Sequence, residues 1–239
     1  MLAGAFAGLL AFGFAWVFGE PQVDLAIGFE EHAHQMAGEV LEPELVSREV
    51  QSTIGLLTGV LVYSCALGGI FALAFAYGHG RIAALSPRAT AALLAVAGFL
   101  ALIVVPQIKY PANPPSIGEP ETIGMRTALY FTMLALSVIA AIAAMSTGKQ
   151  LARRLGGWSS ALLAGAAYFA VVAAAMAILP SVNEVPADFS ATTLWDFRLA
   201  SLGIEAVLWT ALGLSFGFLA ERQLVPAQRT SNRIARGAR

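Results

Sequence analysis

The segment Glu30-Glu31-His32-Ala33-His34 sets two of the chain's three histidines beside two carboxylates. Neutral imidazole with carboxylate suits borderline divalent ions such as cobalt, nickel and zinc. An extended backbone would point His32 and His34 the same way. A helix would instead bring Glu30 and Glu31 to His34 at i+4 and i+3 and turn His32 aside. Either geometry supplies two or three ligands, enough to capture an ion but not to enclose it. The other reading is a solvated polar segment. Met36 offers a thioether four residues beyond His32, but methionine more often serves packing. His79, between Gly78 and Gly80, reads as a helix stop, with an exit ligand as the alternative.

A second set of oxygen donors lies late in the chain. Asn183 and Glu184 follow Pro180, where a proline-broken helix end could line a cavity. Glu205 stands inside an otherwise apolar run. A carboxylate there must be paired, protonated or wet, so function is the default reading. Arg198, seven residues earlier on the same helix face, and Arg126, from a neighbouring helix, are its candidate ion-pair partners. Asp196 and Arg198 could also form a surface pair that caps the last helix. Between Pro106 and Pro115 four prolines hold the backbone extended and remove amide donors, so this stretch is expected to be a stiff plug, a rim or a rigid turn rather than a helix.

These groups need elements to hold them, and six apolar runs supply them: residues 1–18, 53–76, 89–105, 127–144, 159–179 and 199–220. Each is long enough to cross a bilayer, which takes roughly 17–25 apolar residues. Hydrophobic residues make up 58% of the 239 and charged residues 12%, and the mean hydropathy is +0.72. That composition leaves too little charge to cover a soluble domain. The first run lacks a basic leader and a small-x-small cleavage site, so it is expected to be retained. Cys65 is the single cysteine, which rules out an internal disulfide and a thiolate cluster.

Charge orients the spans. Ten of the fourteen basic residues fall in the loops 77–88 and 145–158 and in the segment after residue 220. Short-loop Lys/Arg excess marks the cytoplasm, so both termini are expected to be cytoplasmic. Thirteen of the fifteen carboxylates fall in the three opposite loops. They are either ordinary loop solubility or a funnel that concentrates cations. Residues 1–222 read as one polytopic domain and 223–239 as a basic, disordered cytoplasmic tail.

The chain also reads as three copies of one hairpin: a helix out, a proline-marked loop, and a helix returning from Arg48, Arg126 or Arg198. Parallel repeats of this kind occur in transporters, though shared helix-end chemistry would give a similar pattern. No nucleotide-binding loop is present, since Ser146-Thr147-Gly148-Lys149-Gln150 lacks the upstream glycine and the final hydroxyl. Neither a zinc-protease nor a serine-hydrolase motif is present. No enzyme is expected, and no nucleic-acid partner.

Four passages carry a family resemblance: residues 46–59 (VSREVQSTIGLLTG), 68–81 (GGIFALAFAYGHGR), 105–130 (VPQIKYPANPPSIGEPETIGMRTALY) and 179–217 (LPSVNEVPADFSATTLWDFRLASLGIEAVLWTALGLSFG). Together they resemble the CbtA family of cobalt transporter subunits over nearly the whole chain. The resemblance implies cobalt uptake and a small partner, CbtB, with one span and a histidine cluster. Family members are often described with five spans and a histidine-rich first loop; this chain has six apolar runs, and His32 and His34 in that loop.

The resulting expectation is an all-α membrane protein with six transmembrane helices in the cytoplasmic membrane, surrounded by lipid and open to self-association. It would take a divalent metal ion inward as substrate, with no bound cofactor. Glu30, Glu31, His32 and His34 would collect the ion, and Asn183, Glu184 and Glu205 would receive it. The alternative is a non-transporting scaffold that docks a metal-handling partner.

Overall fold

The computed structural model describes residues 1–38, 45–82, 84–115 and 117–237, with side chains as far as Leu224. Six helices are long and apolar enough to cross a membrane. They are α1 (Leu2–Ala37), α2 (Arg48–Gly78), α3 (Pro87–Lys109), α4 (Pro120–Leu155), α5 (Gly157–Ile178) and α6 (Ala191–Gly237). No strand occurs among the described residues.

The helices are not three equivalent hairpins in their packing. α1 lies between α2 and α6, α3 packs on α6, and α4 and α5 form a pair that reaches the others through the far end of α3. The main core joins α1, α2, α3 and α6 through Ala7, Ala11, Phe71, Phe75, Ala91, Ala95, Leu208 and Leu212. A smaller core joins α3, α4 and α5 through Val105, Met133 and Val172. In lipid there is little hydrophobic drive between helices, so close approach of small residues does the work. Gly4 and Gly8 of α1 face Ser64 and Gly68 of α2: a Cβ on Gly4 would sit 2.3 Å from the Ser64 carbonyl oxygen. Ser64 turns its hydroxyl back to the Val60 carbonyl and so hides its polarity within its own helix. Between α4 and α5, Ser137 and Tyr168 share a hydrogen bond of 2.9 Å.

Two features depart from the sequence expectation. The first span does not stop at the first carboxylates. α1 continues as helix from Glu20 to Ala37 and carries residues 30–34 with it, ending at Gly38 with φ 72°. Pro21 follows directly on the π-turn Ala15–Gly19, whose wider winding makes room for the proline ring inside the helix. The third span also runs past its proline: Pro106 lies within a helix that ends at Lys109, and the backbone becomes extended from Tyr110 onward. The preceding turn, Phe99–Val104, is a π-helix whose wider winding accommodates the proline ring without ending the helix. Similar π-turns interrupt α1 at Ala15–Gly19 and α2 at Gln51–Gly55.

The two ends of the bundle differ in chemistry. At the basic end Arg88 Nε pairs with Glu221 Oε2 at 2.8 Å and joins α3 to α6. Lys149 of α4 donates to the Arg81 carbonyl just beyond α2. At the acidic end the segments 110–115, 117–118 and 179–190 lie over the bundle, with Ile117, Phe189 and Ala26 of α1 packed together. The Phe29 and Phe189 rings meet edge to face there, 5.1 Å apart.

Candidate functional site

The candidate ligands fall at three levels. The outermost is the end of α1. There the helical geometry places His34 Nε2 3.9 Å from Glu30 Oε1, one turn away. Glu31, three residues before His34, and His32 are exposed on the same turns. Of the further acidic residues in this loop, Glu39, Glu42 and Glu44 lie outside the described residues. Among the described residues no group of three or more His, Cys, Asp or Glu side chains is gathered as a metal cage.

The second level is the rim. Here the arginines that begin α2, α4 and α6 hold the acidic end together, each in a different way. Arg48 binds Glu20 and lies 2.9 Å from Asp24, so it clamps the start of α2 to α1. Arg126 Nε lies 3.3 Å from Glu184 Oε2. The same Glu184 oxygen accepts the Thr122 hydroxyl at 2.8 Å and the Glu119 amide at 3.0 Å. The Thr122 hydrogen bond, then the Glu119 amide and the Arg126 charge, hold the Glu184 carboxyl below its ordinary range. Gly118, at φ 123°, lets this turn fold flat on Arg126: a Cβ there would lie 2.2 Å from Nη1. Glu184 therefore ties the segment between α5 and α6 to the start of α4.

Arg198 differs from the other two. Its Nε donates to the Ala112 carbonyl at 3.1 Å and its Nη2 to Asn113 Oδ1 at 2.9 Å. No carboxylate lies within 4.0 Å of it among the described residues. The expected pair with Asp196 is not formed; Ser190 caps α6 instead, accepting the Thr193 amide at 3.3 Å. Tyr110 donates its hydroxyl to the Pro180 carbonyl at 2.8 Å and Lys109 donates to Ser181 Oγ at 3.2 Å. The proline-rich stretch after Lys109 is thus a rim laced to the segment before α6, with its Ala112 carbonyl taken by Arg198 and the facing Pro180 carbonyl by Tyr110. Beneath it is a cavity of about 420 Å³ lined by residues that include Asn113, Arg126, Tyr130, Asn183 and Arg198. Asn183 is exposed on this cavity rather than folded into the Glu184 network.

The third level is Glu205 on α6. Its Oε2 and the Nε1 of Trp209, one turn further along, are both buried and face one another as acceptor and donor without closing a hydrogen bond of ordinary geometry. Arg126 and Arg198, its expected partners, are committed to Glu184 and to the 112–113 rim. Aromatic rings enclose this level. Trp209 lies against Gly98 of α3, where a Cβ would come within 2.3 Å of the ring, and Phe14 of α1 lies as closely on Gly203. Tyr63 of α2 and Tyr130 of α4 are near enough to interact electrostatically with the carboxylate. The π-turns of α1 and α3 both pack against α6, and such turns occur frequently at functional sites. Tyr63, Tyr130 and Trp209 escaped the reading of the sequence. The available signal was a hydroxyl or an indole N–H inside each of three apolar runs.

Glu205 is thus a half-buried, aromatic-walled carboxylate with no counter-charge bound to it among the described residues. Such a group can take up and give back a cation or a proton, because no arginine holds it permanently.

A family model described as a probable cobalt transporter subunit (CbtA) matches residues 1–221. No curated protein and no solved structure matches the chain. The match covers every one of the six spans through the Arg88–Glu221 pair. The chain belongs to the CbtA family.

Proposed function

We propose that this chain is a subunit of the cytoplasmic membrane that passes a divalent transition-metal cation inward, cobalt first and nickel or zinc as ions of the same ligand chemistry. The observation that carries this is Glu205: a carboxylate whose buried Oε2 meets only the Trp209 indole and no counter-charge, inside the bundle of a chain whose family is that of a cobalt transporter subunit. In this reading the acidic end faces outward and the basic end faces the cytoplasm, following the distribution of Lys and Arg. Glu30, Glu31, His32 and His34 collect the ion on the projecting turn of α1. Asn183 lies at the rim. Glu184 keeps Oε2 on Thr122, Glu119 and Arg126 and offers Oε1 to the passing ion. Weak ligands in series suit passage, since an ion bound too tightly does not leave. The driving force comes from the membrane potential, an ion gradient or a partner. A single-span, histidine-bearing CbtB-type subunit fits as that partner, as does a second copy of the chain.

A scaffold that docks a metal-handling protein is the second reading. It is favoured by one observation, that no three-ligand group is assembled among the described residues. Purified protein in liposomes, alone and with a CbtB-type subunit, separates the two by cobalt accumulation under an inward negative potential. Accumulation supports transport. Replacing His32 and His34 by Ala should raise the half-saturating cobalt concentration without lowering the maximal rate. No accumulation under either condition sinks transport and leaves the scaffold.

A further inference from the structure

The cavity beneath the rim has a charge that suits an anion. Two arginines line it and no Asp or Glu does. Arg126 is neutralised by Glu184 and Arg198 by nothing among the described residues. The local balance is one positive charge. A guanidinium carries five N–H donors, and Arg198 spends two, on Ala112 and Asn113. Both N–H groups of Nη1 and one of Nη2 remain. These form the end-on fork that meets a carboxylate through two parallel hydrogen bonds. The bonds to the rim fix the guanidinium, so little side-chain entropy is left to lose on binding.

The remaining polar groups on the wall also have capacity to spare. The side chains of Asn183, Thr127 and Tyr130 line the cavity and make no hydrogen bond among the described residues. The rest of the wall is apolar and aromatic, with Ile117, Phe131 and Val185 prominent. An apolar chamber with a few placed polar groups is the usual form of a small-molecule site. A single uncompensated arginine beside an apolar wall selects a monoanion with an apolar body.

We infer that this cavity binds a small monocarboxylate, whose carboxylate lies on Arg198 and whose apolar part lies on the α4 wall. The ligand comes either from water, as a short organic acid, or from the bilayer, as a fatty acid. The chemistry recognised is the same. The site goes beyond the metal reading and does not depend on it.

The test uses the full-length protein in a neutral detergent, without metal, at low salt. Hexanoate, benzoate, hexanol, hexylamine and inorganic phosphate are titrated by ligand-observed saturation-transfer NMR. Hexanoate and benzoate are expected to bind saturably, with hexanol at least about tenfold weaker and hexylamine and phosphate silent. Arg198→Gln should weaken hexanoate by at least about tenfold and leave hexanol unchanged, and Arg198→Lys should fall between, because it keeps the charge and loses the fork. Should Arg198→Gln fail to fold, Asn183→Trp fills the cavity while leaving the arginine's bonds to the rim in place, and it should abolish binding. Native mass spectrometry then assigns the source: a co-purified fatty acid, lost in Asn183→Trp, places the ligand in the bilayer, and an empty protein that binds added hexanoate places it in water. Equal binding of hexanol and hexanoate, phosphate binding as tight as hexanoate, a retained phospholipid in the cavity, or undiminished hexanoate binding in folded Asn183→Trp would each overturn the assignment.

Discussion

Replacing Glu205 tests whether the carboxylate is there for the fold or for passage, because the two roles predict opposite signs of stability. Its Oε2 is buried, with the Trp209 indole beside it but no bond of ordinary geometry, and Arg126 and Arg198 are bound elsewhere. A buried polar group left unsatisfied costs about 1–3 kcal/mol. Glu205→Leu keeps the length and removes that cost, and it strands no arginine. At about 2–4 °C per kcal/mol for a chain of this size, the melting temperature should rise by roughly 2–12 °C. Had Glu205 been half of a buried ion pair, its loss would cost about 3–5 kcal/mol and lower the melting temperature by roughly 6–20 °C on the same scale. The intervals do not overlap and differ in sign. Glu205→Gln, which keeps shape and hydrogen bonding but cannot carry charge or exchange a proton, should leave expression normal and cut cobalt uptake by at least about tenfold, or 1.4 kcal/mol of barrier. The assay pairs thermal unfolding in detergent with uptake in vesicles. A fall of several degrees in Glu205→Leu, rescued by a second change at Arg126 or Arg198, would refute the reasoning. Normal uptake in Glu205→Gln would remove Glu205 from the path.

Three further outcomes are expected. On a Cys65→Ala background, a cysteine at position 31 should react with an impermeant thiol reagent in intact cells, and labelling only after permeabilisation would invert the proposed orientation. Glu184 has its pKa lowered from 4.5, so it binds fewer protons folded than unfolded and contributes stability above pH 4.5 that is lost as pH falls through the depressed folded value; the stability gap between wild type and Glu184→Gln should therefore be full near neutrality and close with acid, and a pH-independent gap would contradict the Thr122 and Arg126 contacts. Gly4→Ala places a Cβ 2.3 Å from a backbone oxygen that cannot rotate away; separating α1 from α2 should cost about 1–3 kcal/mol, whereas Gly69→Ala, with open space around it, should be neutral or stabilising, and equal effects at the two sites would show that the tight crossing is not what joins these helices.

The six spans were legible because the bilayer imposes a length and a composition that each run carries by itself. What joins the spans was less so. Gly4, Gly8, Ser64 and Gly68 have the small-residue spacing of a close helix pair, yet spacing on one helix does not name its partner. The extension of α1 was hidden for a related reason: Glu20 to Glu31 reads as polar loop, while its helix is held in part by Arg48, a residue beyond the next turn of the chain. Pro106 was read by its usual effect, and the π-turn before it, which no residue pattern announces, changed that effect.

The site was half legible. Sequence singled out Glu205, Glu184, Arg126 and Arg198, and all four prove to be polar groups at or inside the bundle. It could not pair them, because pairing depends on which ends of α4, α5 and α6 come together at the rim. The consequence is chemical. Had Arg198 reached Glu205, the bundle would hold a closed, neutral pair with no capacity to bind a mobile ion. Instead, among the described residues, Arg198 faces a cavity with one positive charge to spare and Glu205 remains deeper with a carboxylate to spare. Two opposite charges kept apart, each without a fixed partner, cost stability that bringing them together would have recovered. On the readings proposed above, a mobile cation and a mobile anion have separate places to bind, and the substitutions at Glu205 and Asn183 interrogate those places one at a time.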